Sequence, residues 1–250
     1  MLKGKKKEKN IPETTDQPAE TPIHRFALFV SEIRKTILFL GLSIAGGTAG
    51  FYFLSPRIFA LIQAHLNQKL AFFTVAEPFL AHVKIALSTS LFVSMPGIIF
   101  CFWKGLAKPF HLSRSNCIWF IFFTSLLFYA GSFFCYFITL PFGVKFLLGF
   151  ESEQLQSLIS VGKFVSFVTI FVLAFGFIFE LPIFMVFAAK VGICPRKSFE
   201  KGRRYAVLVI SIVAAMLTPT PDVVNMLLMG GPLYILYEAG IMTLKLLRIS

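Results

Sequence analysis

The chain has 250 residues, of which 56% are hydrophobic and 14% charged, with 32 phenylalanines and a mean hydropathy of +0.78. That leaves too little polar surface to clothe a soluble domain, so the composition indicates an all-α polytopic membrane protein. The formal charge of +12 does not point to nucleic acid, because the basic residues are confined to particular loops and form no single folded basic face.

Residues 1–25 are polar, basic and proline-bearing and lack apolar periodicity, so they are expected to form a disordered cytoplasmic tail ahead of a transmembrane domain at 26–250. A cleaved secretory signal is the competing reading of a basic start followed by Ala45, Gly46, Gly47 and Ala49. The long polar lead and the apolar run at 36–54 favour a retained span. The first span is placed at 33–54, preceded by FVSEIRK, whose Ser31, Glu32, Arg34 and Lys35 lie at the cytoplasmic surface. An outer segment follows at 55–78, with a short interfacial helix over 56–68. The second span, 79–102, is interrupted by Pro96 and carries Lys84 near its outer end, from where a long stem lets the ammonium reach the interface. The loop at 103–116 holds Lys104, Lys108 and Arg114 and no acid, which marks it as cytoplasmic. A third span at 117–140 is expected to end at Pro141, and 142–163 returns outside.

The fourth span, 164–189, carries one charge, Glu180. At ~1.5 Å per residue it covers about 39 Å against a hydrocarbon core of about 30 Å, so a carboxylate near its middle cannot reach water at either end. Such a group costs at least ~2.5–3.5 kcal/mol on insertion scales and is a functional-site candidate. The competing reading is a protonated Glu that hydrogen-bonds a neighbouring helix. Pro182 follows directly and loosens the helix where the charge lies.

The most basic loop comes next, at 190–205, and then two short apolar runs at 206–217 and 223–237. These reach only about 18 and 22 Å, so they require a locally thinned bilayer or snorkelling flanks. Between them TPTPD turns the chain, with Asp222 as a helix N-cap. Nineteen of the 24 basic residues fall in the segments assigned to one side and four in the outer segments, with Lys84 at the border. This gives six spans with both termini cytoplasmic. Cys101, Cys117, Cys135 and Cys194 show no paired spacing, and His24, His65, His82 and His111 are scattered singly, so neither a disulfide framework nor a metal site is implied. No phosphate-binding, dinucleotide or hydrolase motif is present, which leaves catalysis and cofactors without support.

Three stretches carry a resemblance: MLTPTPDVVNMLLMGGPLYILYEAGI at 216–241, FELP at 179–182 and EPFLAHVKIAL at 77–87. Together they resemble the TatC family, the core receptor subunit of the twin-arginine protein translocase, over about residues 26–248. The resemblance implies a cup of six helices with the fifth and sixth short, set in a bacterial inner membrane. It implies recognition of twin-arginine signal peptides and assembly with TatA/TatB-type single-span proteins and further copies of itself. Proton motive force would drive export of folded proteins, with no ATP site in this subunit. Glu32 and Arg34 match the acidic and basic positions of the family's N-terminal signal-recognition motif, Glu180 its intramembrane Glu, and Pro221, Asp222 and Asn225 its last outer turn and the start of the sixth helix. The sequence departs from the family at Phe29, where His is common, and at Thr36, where a second Arg is common. Ser115 stands at or beside the position of a second signal-binding Glu, and Met226 where a Gln is common. Two rival classes are a proton-coupled secondary transporter using Glu180 as a midplane carboxylate, and an intramembrane enzyme. The first lacks an inverted repeat, and the second lacks the constellation of His, Ser or paired Asp residues within spans that such chemistry needs.

Overall fold

In the computed structural model of the protein the described residues are 22–66, 70–107, 109–110, 112–148, 159–217 and 223–247. The side chains of 22–35, 65–66, 146–148, 217, 224–225 and 228 lie outside the description. The fold is helical: α1 (Pro22–Tyr52), α2 (Ser55–Leu66), α3 (Glu77–Ala107), α4 (Arg114–Phe134), α5 (Leu140–Leu148), α6 (Val161–Phe179), α7 (Leu181–Lys190), α8 (Arg196–Lys201), α9 (Arg203–Leu217) and α10 (Val223–Leu246). Two short strands, β1 (Leu70–Ala71) and β2 (Ile159–Ser160), pair in parallel with Leu70 opposite Ile159.

Among the described residues, three helical stretches are long and apolar enough to cross a bilayer: α3, α4 with α5 through Lys145, and α6 with α7. The bent pair α1–α2 makes a fourth if counted as one span. α1 already starts at Pro22, inside the stretch expected to be tail. It ends in a 71° corner before α2, which occupies the place expected of the interfacial helix. Buried Ser55 holds this corner: its hydroxyl donates to the Tyr52 carbonyl at 2.7 Å and, with that hydrogen committed, accepts from His82 Nδ1 at 3.1 Å.

Three prolines, Pro96, Pro141 and Pro182, are accommodated by specific local devices. α3 runs unbroken through Pro96, whose missing N–H leaves the Phe92 carbonyl without its helical donor; the Tyr129 hydroxyl of α4 supplies one at 3.0 Å. The third span does not stop at Pro141, as the sequence suggested. A π-helical turn at Cys135–Thr139 widens the helix, with the Leu140 N–H bonded to the Cys135 carbonyl, and Pro141 then falls in the first turn of α5, where no intrahelical donor is needed. At Pro182 the fourth span breaks into α6 and α7, with Glu180 as the turn.

α9 has 15 residues, so it spans roughly 22 Å at ~1.5 Å per residue. α10 continues as helix past Glu238 to Leu246, and its apolar part is the short one. α1 packs along α3, α4 on both α3 and α6, and α10 on both α7 and α9. The core is centred on Trp103, Phe128 and Phe175, all fully buried. Large apolar side chains such as Phe39, Leu42, Ile170 and Leu227 point outward, as lipid-facing residues do. These features make the chain an all-α polytopic membrane protein.

Candidate functional site

Glu180 sits between α6 and α7 with φ −71° and ψ −12°, still close to helical. Its N–H donates to the Phe177 carbonyl at 3.1 Å, and its own carbonyl accepts from Phe184 N–H at 3.0 Å. Pro182 occupies the first turn of α7, where its lack of a donor is harmless, so the break falls here and the carboxyl is aimed inward. The side chain is only 3% exposed, and neither oxygen completes a hydrogen bond with the protein. The polar groups facing it come from α4: the Thr124 hydroxyl and the Phe128 backbone. Trp103 Nε1–H donates to Thr124 Oγ1 at 3.0 Å, which leaves the Thr124 hydroxyl hydrogen to turn towards the carboxyl. Trp103 is itself fixed by stacking on Phe120 at 4.5 Å and by the edge of Phe187 at 5.1 Å.

The close approach of α4 and α6 beside this site depends on Gly176. A Cβ there would lie 2.6 Å from the Phe128 ring and 2.7 Å from Ser132 Oγ. A buried carboxyl left without partners costs about 1–3 kcal/mol or more, so packing alone does not account for Glu180. The carboxyl is not on the wall of the cavity between α2, α3, α4 and α6. That cavity measures about 440 Å³ and is lined by residues such as Ile62, Phe92, Tyr136 and Val172.

A second cluster ties the segments ahead of α3 and α6 together. Glu77, two residues ahead of the apolar run that starts at Phe79, accepts from Phe73 N–H at 2.8 Å, from Gly162 N–H at 2.9 Å and from the Ser160 hydroxyl. Those hydrogen bonds, Ser160 first, hold its carboxyl well below the usual carboxylate range. Ser160 also caps α6 by accepting from Lys163 N–H at 3.3 Å. Beside it Lys84 donates to Ser166 Oγ at 2.8 Å, so the lysine expected to snorkel instead bridges α3 to α6.

At the opposite end Arg203 grips Glu238 with two nitrogens, at 2.8 and 3.0 Å, and Tyr234 donates to the same carboxylate at 3.2 Å. Glu200 receives Arg196 and Lys245, and the Tyr237 hydroxyl donates to the Phe199 carbonyl at 2.7 Å. α8 and the start of α9 are thereby fastened to α10. α7 ends ahead of them in a Schellman motif, with Gly192 at φ 79°, Ile193 N–H on the Ala188 carbonyl and Gly192 N–H on Ala189.

Of the residues singled out in the sequence, Glu180 has defined surroundings and Ser115 lies exposed as the second residue of α4. Glu32 and Arg34 lie on α1, but their side chains are outside the described residues, as is that of Asn225 on α10. Pro221 and Asp222 fall outside the described residues altogether. Three contributors were missed by sequence reasoning: the Trp103–Thr124 pair, Glu77 and Glu238. An acid directly before Pro78 at a helix start was a signal for Glu77; nothing local announced its partners 83 and 85 residues away.

The sequence pattern of a family described as Sec-independent protein translocase protein (TatC) matches residues 29–232. Proteins of that name from Desulforapulum autotrophicum and Carboxydothermus hydrogenoformans are similar, at 32% and 34% identity. Each match covers 86% of this chain, and 82% and 90% of the respective relative. A Helicobacter pylori protein of the same name is 33% identical over 88% of both chains. A crystal structure described as the twin arginine translocase receptor TatC, in the detergent DDM, superposes with a TM-score of 0.75 at 27% identity. It covers 86% of this chain and 98% of that one. Sequence relationship and fold thus coincide along most of the helical body, and the chain belongs to the TatC family of Sec-independent protein translocase components.

Proposed function

We propose that this chain receives twin-arginine signal peptides and nucleates the complex that exports folded proteins across a bacterial inner membrane, with proton motive force as the energy source. The observation that carries this reading is the shared fold, along 86% of the chain, with a protein described as the twin arginine translocase receptor. In it Glu32 is the main carboxylate for the signal's guanidinium groups, since a carboxylate pairs with Arg bidentately and Ser115 offers no second charge. Arg34 completes the N-terminal motif, and exposed Ser115 stands on the same cytoplasmic side. Glu180 receives a polar side chain of a partner helix or an inserted signal. Pro221, Asp222 and Asn225 form the outer turn at which TatA/TatB-type single-span proteins dock, and several copies of this chain share one complex. Both termini are cytoplasmic, which the distribution of Lys and Arg supports.

A proton-coupled small-molecule transporter is disfavoured, because Glu180 packs against α4 and not on the wall of the cavity between α2, α3, α4 and α6. The reading is tested by expressing the chain with its own single-span partners in cells that lack a twin-arginine translocase. Export of a prefolded reporter that depends on the twin arginines of its signal is expected. Export unchanged by replacing both arginines with lysines would overturn it.

A further inference from the structure

A slot of about 480 Å³ opens between α4, α7 and α10, at the end of the molecule where α4 starts and α7 and α10 finish. Its polar lining is gathered at the mouth: Asn116 in the first turn of α4, Lys190 at the last position of α7 and Thr243 in the last turn of α10. Deeper in, the walls are Trp119, Phe123 and Leu127 on one side and Ile183 and Val186 on the other. From Asn116 to Leu127 the helix advances ~16 Å, about half of a ~30 Å hydrocarbon core. The slot therefore has a polar opening at one membrane surface and an apolar floor near the midplane, the dimensions of one lipid leaflet.

Depth and polarity select the occupant. The slot lies within the range of about 300–1,000 Å³ typical of small-ligand sites. Apolar walls about one leaflet deep beneath a polar mouth match a single acyl chain joined to a headgroup. Charge at the mouth selects the headgroup. Lys190 Nζ stands 5.7 Å over the Phe120 ring, and among the described residues no carboxylate pairs with it. Glu200, the acid of the adjoining basic loop, is already taken by Arg196 and Lys245.

We propose that this slot is a binding site for one anionic phospholipid, with an acyl chain between α4 and α7 and the phosphate held by Lys190 and the Asn116 amide. The leaflet is the cytoplasmic one if the orientation proposed above holds; the site itself does not depend on that orientation, nor on signal reception or partner docking. A lipid seated there fills the seam between α7 and α10, directly after the break at Glu180.

The test is to titrate the purified protein, in a mild non-ionic detergent, with phosphatidylglycerol or phosphatidylcholine and to read bound lipid by native mass spectrometry. One phosphatidylglycerol is expected to be retained, several-fold more tightly than phosphatidylcholine. Lys190→Gln should weaken phosphatidylglycerol about fivefold, the worth of one basic residue at a membrane surface, and abolish the preference. Thr243→Trp, which blocks the mouth, should lose both lipids, and inorganic phosphate should displace neither. Equal retention of the two lipids by the unaltered protein, unchanged binding by both variants, or displacement by phosphate would overturn the proposal. Independently of how the variants fold, a photoreactive side chain in place of Phe123 should form an adduct of phospholipid mass in membranes. An adduct of protein mass there contradicts the site.

Discussion

Glu180 separates stability from function, because its carboxyl is buried and lacks protein partners. Replacing an unsatisfied buried acid by an apolar side chain of similar size removes a desolvation cost, so Glu180→Leu should accumulate in membranes as well as the unaltered protein and unfold in detergent no earlier. Transport should nevertheless fall, since the group that receives a polar partner is gone. Glu180→Leu that transports at the normal rate would leave Glu180 with a packing role alone. Asp222 calls for the same dissection by a different pair of substitutions. We propose that Asp222 caps the helix that follows it; Asn caps about as well as Asp, so Asp222→Asn should keep the ~1 kcal/mol of such a cap while removing the charge, and Asp222→Ala should lose both. Normal membrane levels with poor assembly for the Asn variant, and partial activity for Asp222→Glu, are expected. Wild-type assembly by Asn with instability of Ala would reduce Asp222 to a cap.

At the level of elements, Pro96 sits in mid-helix where a neighbouring side chain replaces the lost hydrogen bond. Tyr129→Phe should therefore cost about 1 kcal/mol of stability in detergent, because the Phe92 carbonyl loses its donor. In a Pro96→Ala background the helix itself supplies that donor, so the same substitution should cost much less. An equal loss in both backgrounds, measured as a double-mutant cycle, would mean that the tyrosine acts through packing. The brevity of α9 is open to a similar trial. Ile210 and Ala214 face α10, with Gly230 opposite them. Four leucines inserted between Val209 and Ala214 add ~6 Å and turn the helix by about 400°, which nearly preserves that face. If a short span thins the bilayer and attracts an equally short partner span, the insertion should reduce both partner crosslinking and transport. Wild-type values for both would remove the thinning argument.

For the whole molecule, the order of the long apolar helices was legible because lipid demands long apolar segments. Glu180 was legible for the same reason, as a lone charge in an apolar run. Its surroundings were not: the break at Pro182 sets the direction of the carboxyl, towards Thr124 on α4. Nor did the sequence show that the third span passes Pro141, since a π turn is an adjustment to packing with no local signature. Glu238 read as the end of an apolar run, whereas α10 continues through it, with Arg203 beside the carboxylate. Glu77 matched a family stretch, yet its role depends on Ser160 and Gly162, which only the pairing of β1 with β2 delivers. The most direct test of signal reception by this chain is site-specific photocrosslinking of a twin-arginine signal peptide in native membranes, with the probe placed beside the two arginines. Crosslinks to this chain should form with the authentic peptide, fall sharply when both arginines are changed to lysine, and be largely lost in Glu32→Gln at equal protein level. Crosslinking indifferent to both the arginines and Glu32 would contradict the assignment of this chain as the signal receptor.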